Sequence, residues 1–234
     1  MTHGTLVLVR HGESRMNILN RFTGWLDVPL SENGIQEAQD LAGHCKRFDY
    51  DAAFTSNLER AHQTLLIILS SQHKIGVFSH GADERYNRLD RMPAWFKGET
   101  LPIFTSEALN ERAYGELQGM NKEAAAKEFG EEQVLGWRRS FVARPPGGES
   151  LKDVYDRVVP YFETQIHPRI KAGETILMTA HGNTLRAVIK FLESISDEQI
   201  PFIELETARP VIYACEQDVF RRMEGDYRFD RPLR

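Results

Sequence analysis

The sequence predicts an α/β fold: a three-layer sandwich with a mostly parallel central sheet and helices on both faces. Three observations lead there. Leu6 to Val9 and Thr175 to Ala180 are apolar runs without alternation, which is how a strand covered on both faces reads. Between and after them, apolar residues recur at helical spacing, and parallel strands need such helical crossovers. With 41% hydrophobic residues, a 234-residue chain can also bury the large core that three layers require. One domain over residues 1–234 is the simpler expectation.

The elements follow in order. The run at Leu6 to Val9 is the first strand and leads directly into Arg10 and His11. After Ser31, a plausible N-cap, Ile35, Ala38, Leu41, Ala42 and Cys45 mark one face of a helix. Asp51 to Thr55 reads as a second strand, and Leu58, Ala61, Leu65, Leu66 and Leu69 as the next helix, with Arg60 in its first turn. Ser79 to Ser106 mixes Gly, Pro, charge and aromatics without sustained periodicity and reads as a long inserted loop. Short helices are predicted at Lys122 to Phe129 and Glu131 to Phe141, before the break at Pro145-Pro146-Gly147-Gly148. A longer one runs from Ser150 to Ile166 with Leu151, Val154, Val158 and Phe162 inward. Thr175 to Ala180 ends at His181-Gly182-Asn183, a helix follows through Leu192, and Val211 to Cys215 is a further strand.

Composition narrows the function. The formal net charge of -5 is spread along the chain without a basic block, which argues for a small-molecule partner over nucleic acid or anionic lipid. Cys45 and Cys215 are far apart and lack ligand spacing, so neither a disulfide framework nor a structural zinc site is expected, and a reducing cytoplasm fits. Met1 to Leu8 lacks the features of a signal peptide, and no apolar stretch is long enough to span a bilayer. His3, His44, His62, His73, His80 and His167 share no HExxH-like spacing, so no metal is assigned.

Arg10 with His11, Arg60, and His181 each follow a different predicted strand. Ligands of open α/β sheets bind beyond the carboxyl ends of the strands, so these residues should converge on one crevice. Paired guanidinium groups clamp phosphate oxygens, and an imidazole can attack phosphorus. For that, one ring nitrogen of His11 must be neutral and the other held by an acceptor, which an ordinary pKa of about 6.5 permits. Gly12 and Gly182 are expected to let the backbone approach the phosphate closely, with positive φ available to them.

LVLVRHGES with Asn17, RFTGW, TSNLERA, LNERAYGELQGMNK, WRRSF and TAHGNTLRA together resemble the cofactor-dependent phosphoglycerate mutases of the histidine phosphatase superfamily, over most of the chain. The resemblance implies a phosphoglycerate mutase-like fold and interconversion of 3-phosphoglycerate and 2-phosphoglycerate in glycolysis and gluconeogenesis, primed by 2,3-bisphosphoglycerate without a metal. It implies that His11 is the residue phosphorylated, with Arg10, Arg60 and His181 around the phosphoryl group and Asn17 bonded to its oxygens. Glu111 matches the proton-transfer residue. Lys122, Arg138 and Arg139 match positions that hold the substrate's carboxylate and distal phosphate, while Ser14, Thr23, Gly24, Arg112, Tyr114, Gly182 and Asn183 belong to the same pocket. A homodimer is expected from the resemblance alone.

Two other readings stay open: a phosphatase on the same fold, in which water receives the phosphate from His11, and a phospho-ligand sensor without turnover. The chain departs from long-form mutases in having only Val142 to Gly148 between WRRSF and Glu149-Ser150-Leu151, and in its short Arg-rich tail, Arg228 to Arg234. Leakage of phosphate to water follows as an expectation.

Overall fold

The computed structural model describes residues 3–79, 93–225 and 228–229. The first half holds β1 (Gly4–Arg10), α1 (Arg15–Ile18), α2 (Glu32–Cys45), β2 (Ala52–Thr55), α3 (Glu59–Leu69), β3 (Ile75–Ser79), α4 (Ala94–Gly98) and β4 (Thr100–Thr105). The second holds α5 (Lys122–Phe129), α6 (Glu131–Arg139), α7 (Leu151–Tyr161), α8 (His167–Lys171), β5 (Thr175–Ala180), α9 (Gly182–Glu193), β6 (Ile203–Glu204), β7 (Pro210–Glu216), β8 (Val219–Glu224) and β9 (Arg228–Phe229).

Seven strands form one sheet in the order β3-β4-β2-β5-β1-β7-β8. The five from β3 to β1 are parallel, and β7 and β8 add an antiparallel edge. In β1, Leu6 and Leu8 join Phe54, Ile176 and Met178 under Val154 and Val158 of α7 and Leu185 and Val188 of α9. Val7 and Val9 point the other way, with Ile103 and Leu177, against Leu41 and Cys45 of α2 and Leu65 and Ile68 of α3. Both faces are covered, which is the physical cause of the unbroken apolar runs and confirms the expected three layers.

Register positions the site. Thr179 of β5 is paired with Val9 of β1 on one side and Thr55 of β2 on the other, so three strands end at one level. The residues that follow them, His11, Ser56 and His181, therefore emerge side by side.

Several expectations need correction. Ile35 and Leu66 were read as inward, but both are exposed. In α2 the buried set is Gly34, Ala38, Leu41, Ala42 and Cys45, because Gly34 packs its backbone on Glu13 and one residue further round the helix faces solvent. In α3 the buried face passes through Ala61, Thr64, Leu65, Ile68 and Leu69. Part of the supposed 79–106 loop lies outside the described residues, at 80–92, but Thr100–Thr105 is an inner strand and Ala94–Gly98 a short helix. Pro102 hid that strand. It is tolerated because Pro102 pairs with Val77 of β3, while the β2 ladder starts only at Ile103. The single helix expected over residues 150–166 is α7 as far as Tyr161, then a π-helical turn at Phe162–Ile166 that leads into α8. Among the described residues, no helix is long and apolar enough to cross a membrane.

Candidate active site

Arg10 is the last residue of β1, and His11 follows with its backbone N–H donating to Ala180 O of β5 at 3.0 Å. His181 follows β5 and caps α9. The two imidazoles are buried, with ring centroids 5.1 Å apart. His11 Nδ1 lies 2.7 Å from Gly12 O. A carbonyl only accepts, so Nδ1 carries the proton and Nε2 keeps its lone pair. Burial, then the charges of Arg60 and Arg10, hold the His11 pKa well below the ordinary histidine value. Burial, Arg60, His11 and Arg10 do the same to His181, whose Nε2 shares a 2.8 Å hydrogen bond with Ser56 Oγ. Both rings are neutral at pH 7.

These depressed values fix a pH dependence. An unfolded chain takes up protons on both histidines below about pH 6.5, whereas the folded chain resists until a lower pH. The stability contribution is complete above about 6.5 and drains away as pH falls from there towards the lower folded-state values. Thermal melting is expected to show a falling midpoint between pH 6.5 and 5, and His11→Asn should flatten that fall.

Arg60 in the first turn of α3 is buried, and burial pushes its pKa down to about 10, still a cation at neutral pH. Its Nη2 donates to Gly24 O at 2.8 Å and its Nη1 to Leu26 O at 3.0 Å, so the RFTGW segment and the residue that follows it hold the guanidinium. Arg10 donates from Nη1 to Leu205 O at 2.7 Å, while its Nε is buried without a partner, as is His181 Nδ1. Unpaired buried polar atoms are costly; Arg10 lines a cavity, and His181 lies beside His11, which lines the same cavity.

That cavity has a volume of about 120 Å³. Of the residues expected from the sequence, Arg10, His11, Asn17, Thr23, Gly24, Arg60, Glu111, Tyr114, Lys122, Gly182 and Asn183 line it. Glu111 Oε1 accepts from the backbone N–H of Arg112 at 2.7 Å and of Asn183 at 3.2 Å, and from Asn183 Nδ2 at 3.0 Å. Its Oε2 stands 3.8 Å from where a Cβ on Gly182 would lie, and Arg10 Nε stands 3.9 Å from that same point. A Cβ there would make only ordinary contacts with the carboxylate and the guanidinium, and Gly182 has no positive φ. Gly12 also lacks positive φ: a Cβ there would sit 2.4 Å from Gly34 O, so its smallness lets the loop pack on α2. The expected use of positive φ fails at both glycines.

Asn17 Oδ1 accepts from the backbone N–H and the hydroxyl of Ser14, each at 2.9 Å, which leaves its NH₂ as the donor available to a ligand. Ser14 itself is fully buried and caps α1, so it positions Asn17 from behind. Lys122 opens α5, and burial together with Arg138 and Arg10 lowers its pKa. Arg138 is exposed at the end of α6, outside the cavity wall. Arg139 donates from Nη1 to Pro201 O at 3.0 Å and to Glu204 Oε1 at 2.7 Å.

Arg112 requires a correction. It is buried, with Nε donating to Glu149 O, Nη1 to Trp137 O at 2.8 Å and Nη2 to Ala143 O at 3.0 Å. It ties the segment around Glu111 to α6 and the 143–149 connection, and its guanidinium is committed to the protein's own carbonyls. Arg112→Met would strand three acceptors and is expected to cost about 3 kcal/mol. Urea unfolding measures this, and a loss under about 1 kcal/mol would contradict the strut role.

Five cavity residues escaped the sequence reading as site residues: Arg21, Phe22, Arg186, Glu204 and Leu205. Arg186 had a signal, because it lies three residues past Asn183 on one helix face and donates from Nη1 to Asn183 Oδ1 at 3.0 Å. Arg157 of α7 also escaped. It grips both oxygens of Glu149 and donates to the carbonyls of Ala108, Asn110 and Glu111, bracing the loop that carries Glu111.

Similarity to known proteins agrees with this geometry. The family model of the histidine phosphatase superfamily (branch 1) matches residues 6–84 and 94–223. A protein of Methanosarcina acetivorans named 2,3-bisphosphoglycerate-dependent phosphoglycerate mutase is 49% identical over 223 residues, covering 89% of this chain and 90% of that one. One of the same name from Gloeothece citriformis is 46% identical, covering 91% and 94%. Among solved structures, Bacillus stearothermophilus YhfR superposes with a TM-score of 0.75 at 23% identity, covering 97% of this chain and 99% of that one. Phosphoglycerate mutase from Bacillus anthracis gives 0.70 at 20% identity, covering 96% and 93%. The chain belongs to branch 1 of the histidine phosphatase superfamily, within the 2,3-bisphosphoglycerate-dependent phosphoglycerate mutase family.

Proposed function

We propose that this enzyme interconverts 3-phosphoglycerate and 2-phosphoglycerate through a phosphohistidine at His11. One observation carries the reading: a buried, neutral imidazole with Nδ1–H tied to Gly12 O offers Nε2 to a cavity whose wall is cationic and includes the carboxylate of Glu111. Arg10, Arg21, Arg60, Lys122 and Arg186 supply the positive charge.

The residues fit 2,3-bisphosphoglycerate as the priming compound. The unpartnered Arg10 Nε and His181 Nδ1 suit phosphate oxygens, and Lys122 and Arg186 can meet the remaining anionic groups. When bound, that compound supplies the phosphoryl group that first loads His11.

The chain's own residues then perform the transfers. In the first transfer Glu111 takes the proton from the accepting hydroxyl of the monophosphate, that oxygen bonds to phosphorus, and the bond from phosphorus to His11 Nε2 breaks. In the second, the freed Nε2 forms a bond to the other phosphorus as the bond from that phosphorus to its ester oxygen breaks, and Glu111 returns the proton to that oxygen. Arg10, Arg60 and Asn17 stabilise the charge on the moving phosphoryl group, which is where such reactions gain most. His181, neutral in the free protein, donates to a phosphate oxygen through Nδ1–H, with Ser56 Oγ–H donating to its Nε2. Lys122 orients the far end of the substrate, helped by the charge of Arg138.

Both activities should be assayed on the pure protein with and without 2,3-bisphosphoglycerate. Isomerisation that depends on the priming compound is the expected result, and rapid phosphate release without isomerisation would instead establish the phosphatase. The same reading places the enzyme in the cytoplasm as a homodimer, testable by light scattering at twice the 26.9 kDa chain mass.

A further inference from the structure

We propose that Glu204 is a built-in counter-charge that sets how the pocket discriminates among phosphate-bearing ligands by their own charge. The inference rests on the mutase reading for the identity of the substrate.

An anion pocket has little use for a carboxylate that moves no proton, yet Glu204 lines the cavity alongside Glu111. Their situations differ. Glu111 Oε1 is held by N–H groups of Arg112 and Asn183, whereas among the described residues Glu204 is met by guanidinium groups: Arg139 Nη1 at 2.7 Å on Oε1 and Arg186 Nη2 at 3.4 Å on Oε2. It sits in the two-residue strand β6, where β9 pairs with it, so its backbone is fixed. The side chain is 41% exposed, at the mouth of the pocket. Burial works against its ionisation, but Arg186, Arg139 and Arg10 overcome that and hold its pKa below the usual carboxylate value. Glu204 is ionised at neutral pH, and its charge is felt by both Lys122 and Arg186.

The wall thus carries five cations, Arg10, Arg21, Arg60, Lys122 and Arg186, against two carboxylates. Without Glu204 the surplus would rise by one, and the charge of Arg186 on the cavity wall would be less offset. Phosphate esters would bind more tightly, in proportion to their charge, and leave more slowly. An enzyme that must release a monophosphate many times for each priming event gains from a weaker grip, because binding that does not grow in the transition state adds nothing to turnover.

Glu204→Gln tests this, since the amide oxygen still accepts from Arg139 while the charge is gone. Calorimetric titration with inorganic phosphate is expected to show binding roughly fivefold tighter than in the natural protein, and 2,3-bisphosphoglycerate a larger factor, the difference shrinking in high salt. In turnover, KM and kcat should fall together as release slows. Glu204→Asp, which keeps the charge, should stay near the natural affinities. Unchanged or weaker binding of both anions by a Glu204→Gln protein that melts normally overturns the proposal, because a purely structural ion pair predicts that outcome. If Glu204→Gln melts early, weaker binding of both anions by Glu204→Asp at normal melting temperature overturns it equally. The phosphate titration needs no isomerase activity. Tighter binding with no isomerisation in either protein would sink the mutase reading and leave Glu204 its role.

Discussion

His11→Ala protein incubated with 2,3-bisphosphoglycerate is expected to carry no acid-labile phosphate and to isomerise phosphoglycerate at least roughly 10⁴-fold more slowly than the natural enzyme. No other group in the cavity can take over. His181 is the nearest imidazole, but its Nε2 is engaged by Ser56 Oγ and its Nδ1 is assigned to donating a proton to the phosphate. The cationic residues, Arg10, Arg60 and Lys122, bind phosphate without attacking it. His11→Ala should still bind inorganic phosphate, because the guanidinium groups remain, and this separates loss of the nucleophile from collapse of the pocket. A phosphorylated His11→Ala protein, or one with turnover within tenfold of normal, would remove His11 from the mechanism.

That His11 could be found from sequence follows from the sheet. β1 and β5 are covered on both faces, so they read as unbroken apolar runs, and the residues that follow them stand out at the active edge of an α/β fold. Arg60 was legible because it opens a helix directly after β2. Glu111 was not legible on physical grounds. It lies between two short 3-10 turns, in a segment held by Arg157 and Arg112, and no periodicity announces it. Only the resemblance of LNERAYG to a known family pointed there. The same resemblance treated Arg112 as a pocket residue, since a sequence cannot show whether a charged side chain beside a catalytic one points inward or back to carbonyls. Glu204 had no signal, because a charge in a two-residue strand looks like any surface glutamate until the fold sets two arginines against it. The edge strands β3 and β8 were missed because neither has a fully buried residue to create an apolar pattern.

Glu111→Gln separates proton transfer from phosphoryl transfer. The amide keeps an oxygen where Oε1 accepts its three N–H donors, so the loop and Asn183 should stay in place. What it loses is the ability to give and take a proton beside Gly182. Transfer to or from a phosphoglycerate hydroxyl involves a strongly basic alkoxide, and without proton transfer kcat is expected to fall between about 10² and 10⁴-fold. An aryl phosphate with a weakly basic leaving group needs no proton on departure. Its capacity to load His11 should therefore survive in Glu111→Gln within about tenfold, even as isomerisation nearly stops. Rapid-quench measurement of phosphohistidine from both donors makes the comparison directly. Equal losses with the two donors would mean that Glu111 acts by positioning or charge, and the proton would then have to be carried by another group. His181 Nδ1 and Tyr114 Oη are the nearest candidates, and a shifted pH profile in His181→Gln or Tyr114→Phe would distinguish them.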